Sequence, residues 1–542
     1  MFKTKSLPQP ELFVPSVRLV QPATSSFYTK LEETLASFQF GEQARHICAP
    51  AYSDSKRGRP GVDPAVYFKM LMIGFFENIS SERGIAERCS DSISIRFFLG
   101  YDLTQSTPDH STLSVIRDRL GEEAYHQVFL LILSALQEHG LLKGRHVGID
   151  ASVIEANAAL KSLVNRNTEE AYWDFVRRLA SENGIDPKDL AAVREFDRKR
   201  PKKMSNDDWK NPHDPDAKIG PTKAGAIDMI YKPEHTVDLE TGAIVQAEVR
   251  LGHEADLKDL AAHVLQAQQN INQAQDRPAD ALTIQSTTAD KGYHAVGELI
   301  PLQQEGIRTV ISDPVKNRQF ENLSPQQARA VRQARRSAHS ESGKKLLKKR
   351  GMHLERSFAH VLDAGGARRT TLRGLENLNK RFQVAAAIYN LSQLMRALWG
   401  VGTPKQWAAG AKALAGILRR LFAAGWSRFV NETTRCIAGF NCQWEQPRPP
   451  LAGWVKNQAA VFFDSIFSIF KKTISSTVCY VLLRYLSYLS QWAHSFTRLF
   501  TILRAALWEK LDLFKLLACY GTAAGSFRNL ARPEQAYFPG FL

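Results

Sequence analysis

Two short runs decide how this chain reads: His146-Val-Gly-Ile-Asp150 and Leu282-Thr-Ile-Gln-Ser-Thr-Thr-Ala-Asp290. Each is a brief β-prone run followed by an aspartate, which predicts strands at 146–150 and 282–287 with a carboxylate at or just beyond the end. Between them, 229–237 and 243–251 read as a hairpin joined by Asp238-Leu-Glu-Thr-Gly242, a link with the residues a turn wants. Helices are expected at 256–274 and 294–305 and a strand at 309–312. Antiparallel strands followed by strands alternating with helices predict an α/β domain. A polar segment, about 158–225, helical and then rich in Pro and Lys, reads as an insertion after the first strand.

Upstream the pattern is helical. Asp63 followed by Pro64 is a helix start, a capping side chain before a proline at the first helical position. Residues 65–76 repeat apolar side chains at helical spacing, and further helices are expected at 81–89, 92–99, 111–120 and 122–139. The organisation expected is an all-helical domain over 1–142, an α/β domain over 143–398 ending in helices at 351–362 and 375–398, and a helical extension over 399–542. The helices of 65–120 suit a helix-turn-helix-like DNA reader, with Lys56, Arg57, Arg59, Arg83, Arg96, Arg117 and Arg119 as phosphate contacts. The competing reading is a helical domain that packs on the α/β core or dimerises.

The chain has 542 residues, with 71 Lys and Arg against 55 Asp and Glu, a net charge of +16. A pI near 9.5 makes a polyanion the first partner to consider. Hydrophobic residues at 44% and charged ones at 23% argue against wholesale disorder. The six cysteines form no CxxC pair, which leaves zinc ribbons unsupported and Cys436 and Cys442 as free thiols. The opening residues lack an apolar signal core, and charges interrupt the aromatic stretch 461–516, so a cytoplasmic protein that does not span a membrane is expected. Residues 329–350 hold nine cations against Glu341 alone, and the tail carries 17 Lys and Arg against 6 Asp and Glu. With no GxxxxGK[ST] run, ATP use is not expected.

Carboxylates at the carboxyl ends of neighbouring strands can converge at a sheet edge and hold a hard divalent cation. Strand-end acids are also common turn formers and caps, so Asp150 and Asp290 alone do not decide the matter. His235 and Asp238, at the end of the hairpin's first strand, read either as a support for that site or as a surface His and a turn residue. His253, Glu254 and Asp256 resemble a metal cluster, but Asp256 is better explained as a helix cap.

The surroundings are more specific. Gly148-Ile-Asp150-Ala-Ser, Ala289-Asp290-Lys-Gly-Tyr293, Leu354-Glu355-Arg-Ser-Phe358 and Arg368-Arg369-Thr-Thr-Leu-Arg373-Gly-Leu-Glu376-Asn resemble the DDE transposases of bacterial insertion sequences. Gly58-Arg-Pro-Gly-Val-Asp63-Pro64, Ser80-Ser-Glu-Arg83 and Pro108-Asp-His-Ser-Thr112 are similar to that family's helical N-terminal domain. Asp214-Pro-Asp-Ala217 and Tyr231-Lys232 fit the same pattern, so the resemblance spans roughly 40–398.

What the resemblance implies is an RNase H-like catalytic domain in which Asp150, Asp290 and Glu355 are the catalytic acids and hold two Mg²⁺, with Mn²⁺ as a substitute. Lys291, Tyr293, Arg350, Arg356, Arg368 and Arg369 become the DNA contacts. Two departures bear on Glu355: the family's lysine seven residues later is Leu362, and its arginine four residues earlier is Gly351, with Arg350 adjacent. Glu341 and Glu376 are the fallbacks. The implied function is binding of double-stranded DNA at the element's terminal inverted repeats, cleavage, and transfer of the freed 3′-hydroxyl to target DNA, by a homodimer on DNA. A metal-dependent nuclease that never joins, and an inactive repressor that occupies the ends, are the alternatives.

Overall fold

The computed structural model describes residues 25–52, 61–201, 205–254 and 259–410. Seven described helices precede the first strand: α1 (Ser25–Ser37), α2 (Phe40–Cys48), α3 (Pro64–Glu77), α4 (Glu82–Asp91), α5 (Ile93–Leu99), α6 (His110–Arg119) and α7 (Glu122–Glu138). Their starts are written in the sequence. Asp63 accepts from the Ala65 amide with Pro64 at the first helical position, and Ser81, Ser92 and Asp109 cap α4, α5 and α6. α3 is apolar nearly all round and buried to match, and its Tyr67 hydroxyl meets that of Tyr125 on α7 at 2.7 Å.

The α/β part follows in the order β1 (His146–Ala151), β2 (Ile154–Glu155), β3 (Val164–Asn165), α8 (Tyr172–Glu182), α9 (Leu190–Lys199), β4 (Trp209–Lys210), β5 (Lys218–Pro221), β6 (Ile227–Asp238) and β7 (Ile244–Leu251). It continues through α10 (Leu260–Ala274), β8 (Ser286–Ala289), α11 (Val296–Gln304), β9 (Arg308–Ile311), α12 (Pro325–His339), α13 (Glu341–Phe358) and α14 (Leu375–Trp399). The main sheet runs β7-β6-β1-β8-β9: β6 is antiparallel to β7 and β1, while β1, β8 and β9 are mutually parallel. β2 and β5 pair with the outer part of β6. The expected insertion is a small unit of α8, α9 and the β3–β4 pair, closed over Tyr172, Val176, Val193 and Trp209.

Three expectations shift. β8 begins at Ser286, so Asp290 follows the strand directly. The cation run 329–350 belongs to two helices, α12 and α13, and the helix expected at 351–362 starts at Glu341 and ends in a π-helical turn at Ala359–Ala364. α14 packs against α7 and α3 of the helical part as well as β7, so the two parts share one core. The cap expected at Asp256 and nearly all of the 399–542 extension lie outside the described residues. Among the described residues no helix is long and apolar enough to cross a membrane.

Candidate active site

β1 and β8 run in parallel with Gly148 opposite Thr288. Carrying that register two residues onward sets Asp150 beside Asp290, on the same face of the sheet because side chains alternate. At the other end of this ladder the register pair His146 and Ser286 make a 2.9 Å contact between Nδ1 and Oγ. The face is covered by α13. A Cβ at Gly148 would come within 2.7 Å of Leu239 and 3.2 Å of the Arg350 Cγ, so the glycine is what lets α13 lie on β1.

Arg350 reaches back along the strand. Its Nη2 lies 2.8 Å from Asp150 Oδ2, and its Nε donates to the Ile149 carbonyl at 3.3 Å. The Asp150 side chain is 34% exposed and that of Arg350 14%, so the pair is half-buried. Across the antiparallel pairing with β6, Asp150 stands opposite His235. His235 is buried, not on the surface; its ring stacks on Phe358 at 3.9 Å and its Nε2 meets Ser357 Oγ at 2.8 Å. Burial, reinforced by His263, pushes its pKa down to about 3, so it is neutral. Asp238 is a turn former, accepting from the Lys143, Gly144 and Glu240 amides.

Glu355 is exposed on α13. Arg350 and Ser357 mark the side of the helix that faces the sheet, and His353 faces the turn at Gly242, where a Cβ would lie 3.0 Å from its Nδ1. That turn is at the amino end of β1, since Val147 pairs with Asp238. Two residues advance a helix by about 200°, which turns Glu355 to the opposite flank, toward the carboxyl ends of β1 and β8. The three expected acids nevertheless do not draw together: among the described residues, the one group of three metal-type side chains with ligand atoms within 4.8 Å of one another is Glu234, Glu248 and His263. Of the fallbacks, Glu341 opens α13 and is exposed, and Glu376 pairs with Lys380 at 2.6 Å on α14.

The expected DNA contacts divide. Lys291, Arg356 and Arg369 are exposed. Tyr293 requires correction: it is 1% exposed and its hydroxyl donates to Glu234 Oε1 at 2.7 Å, because the short turn after Asp290 folds it under the sheet. Arg368 is a half-buried strap, donating to Asp363, to Ser152 Oγ at 3.0 Å and to the Val153 carbonyl at 3.1 Å, just past Asp150. In the helical part, Arg96 is buried against the Asp102 carbonyl at 2.7 Å and Arg117 is paired with Glu82, so neither is a free phosphate contact. Arg335 of the cation run is paired with Asp313 at 2.8 Å, at the end of β9, while Lys345, Lys348 and Lys349 on α13 stay exposed. With Arg318 also donating, the Asp313 carboxyl is held well below its usual range although burial alone would raise it.

The other face of the sheet holds a charged network that the sequence reading passed over. Glu234 and Glu248 are register partners on β6 and β7. Arg250 lies 3.2 Å from Glu234, 3.1 Å from Glu254 and 3.0 Å from Asp259, and His263 Nδ1 is 2.9 Å from Glu248. Burial works to raise the Glu248 pKa, but the His263 bond holds it below normal. Glu254 thus serves Arg250, not a cluster with His253. The available signal was charge inside strands that otherwise read as buried.

Residues 18–119 match the family model of the Transposase domain (DUF772), which covers α1 to α6. Residues 302–395 match that of the Transposase DDE domain, from α11 into α14, with Arg350, Glu355, Arg368 and Arg369 inside the match and both aspartates upstream of it. Both matches are to transposase domains, one in the helical part and one in the α/β part. No curated protein and no solved structure matches it. The two matched segments meet physically, since α14 of the DDE match packs on α3 of the helical match.

Proposed function

We propose that the α/β part is RNase H-like and that the chain binds the ends of its own element, cleaves a DNA strand with divalent metal, and joins the freed 3′-hydroxyl to target DNA. The observation that carries this reading is the common register of β1 and β8, whose last pair, Gly148 and Thr288, lies two residues before Asp150 and Asp290. The strand order β7-β6-β1-β8-β9 supports the RNase H-like assignment. Carboxylate oxygens suit Mg²⁺ or Mn²⁺, which combine them with water and phosphate oxygens, and the guanidinium on Asp150 is in keeping with an edge that accepts positive charge.

Asp150, Asp290 and Glu355 would hold the metal, Glu355 approaching from the α13 flank. When bound, two ions supply a lowered water or hydroxyl pKa and charge stabilisation at the attacking and leaving oxygens. The remaining task of the chain is positioning and neutralising phosphate. Exposed Lys291, Arg356 and Arg369 suit it, together with Lys345, Lys348 and Lys349 along α13. Arg368 holds the loop after β1 through Ser152 and Val153. Bringing two ends together calls for a homodimer on DNA.

The test uses the full chain, Mg²⁺, and linear DNA carrying the inverted repeats that flank its gene. Cleavage and, on pre-cut ends, joined product are expected, and Asp150→Asn or Asp290→Asn should lower both at least about a hundredfold, as losses of charge stabilisation do. Cleavage without joining would leave a nuclease. Binding with the unmodified chain as inert as the variants would leave a repressor.

A further inference from the structure

Arg350 occupies a position with consequences for metal binding. It lies on the sheet-facing side of α13, with its head on Asp150 and its Cγ 3.2 Å from where a Cβ at Gly148 would stand. Its head makes two bonds, to Oδ2 of Asp150 at 2.8 Å and to the Ile149 carbonyl at 3.3 Å. A dication bound at Asp150 would sit a few ångströms from this guanidinium, where like charges repel strongly in a half-buried setting. It would also compete for the same carboxylate oxygens.

We propose that Arg350 is an internal counter-cation on Asp150 that must withdraw before divalent metal is held there. Metal occupancy is then set by where the Arg350 head sits, which makes Arg350 a positioning residue and not a ligand. The inference rests on the reading of Asp150 as a metal ligand. Withdrawal by rotation of the side chain alone would break both bonds of the head and leave α13 on β1. Ile149 offers a carbonyl, which is no substitute for a carboxylate as a partner for the displaced charge; a planar guanidinium pairs best with a phosphate or carboxylate.

The test is Mn²⁺ titration of the full chain without DNA, read by electron paramagnetic resonance, with folding checked by circular dichroism. Arg350→Gln should bind Mn²⁺ about tenfold more tightly than the unmodified chain, the scale expected for removing one charge-assisted pair. Arg350→Lys, which keeps the charge, should stay near the unmodified chain, and Asp150→Asn combined with Arg350→Gln should lose the gain. A merely structural arginine gives the opposite sign, because loosening α13 would weaken binding. Unchanged or weaker binding in folded Arg350→Gln, with Asp150→Asn still abolishing it, overturns the inference and leaves the metal reading standing. An equal gain in Arg350→Lys overturns it too. Mn²⁺ binding indifferent to Asp150→Asn in both backgrounds sinks the metal reading itself and the inference with it.

Discussion

At Gly148 a single missing methyl group sets the distance between a strand and a helix. Gly148→Ala would press Cβ to 2.7 Å from Leu239 and 3.2 Å from Arg350, and overpacking of this kind costs about 1–3 kcal/mol. Urea unfolding should register that loss. His235 gives a pH dependence with a definite sign. Its folded pKa, about 3, is depressed from 6.5, so on acidification the unfolded chain takes up a proton that the fold refuses. Stability should therefore fall as pH drops below 6.5 toward 3, by up to about 1.4 kcal/mol per pH unit from this residue. Comparing urea midpoints across that range should show a shallower slope in His235→Phe. At this scale Asp150 and Asp290 were legible as strand ends. The partners of Tyr293 and Arg350 were not, because Glu234 and Asp150 are brought to them only by sheet packing.

Among the elements, α13 was the least legible. Its sheet-facing side includes Arg350 and Ser357 beside the buried Leu346 and Leu354, so the apolar period that marks most amphipathic helices is broken. The cations on its other faces then dominate the run, and the helix was expected to start only at 351. Its start was nonetheless written in Ser340, whose Oγ accepts from the Gly343 amide at 3.0 Å and from Arg308 at 2.7 Å. Ser340→Ala should destabilise the protein by about 1 kcal/mol, a usual cost for a lost N-cap, and Ser340→Asp should restore most of it in thermal or urea melts. β8 was mislocated by four residues for a related reason. Leu282 and Ile284 are strand-like in composition, yet the ladder with β1 begins only at Ser286. The hairpin and the N-terminal helices were easier, since their turns and caps are local signals.

The molecule as a whole is held together by its last described long helix. α14 buries Leu378, Phe382, Ile388, Leu391 and Leu394 while packing on α7, α3 and β7, contacts far apart in the chain. Sequence reading placed the helix but not its double duty, because periodicity tells which faces are apolar and not what covers them. A chain ending at residue 374 should accordingly lose cooperative unfolding in both the helical and the α/β part. Cys48 and Cys89 report on this. Burial pushes their thiols up to about 11 and about 12, so near pH 8 neither should react with a thiol reagent until the fold opens, whereas both should label readily in the truncated chain.

The proposed metal site consists of Asp150, Asp290 and Glu355 at the carboxyl ends of β1 and β8. The most direct measurement is anomalous diffraction from crystals of the full chain soaked in Mn²⁺. The expected result is a peak about 2.0–2.5 Å from carboxylate oxygens of Asp150 and Asp290, with Glu355 beside it. A peak only at Glu234, Glu248 and His263, with those three acids bare, would contradict it.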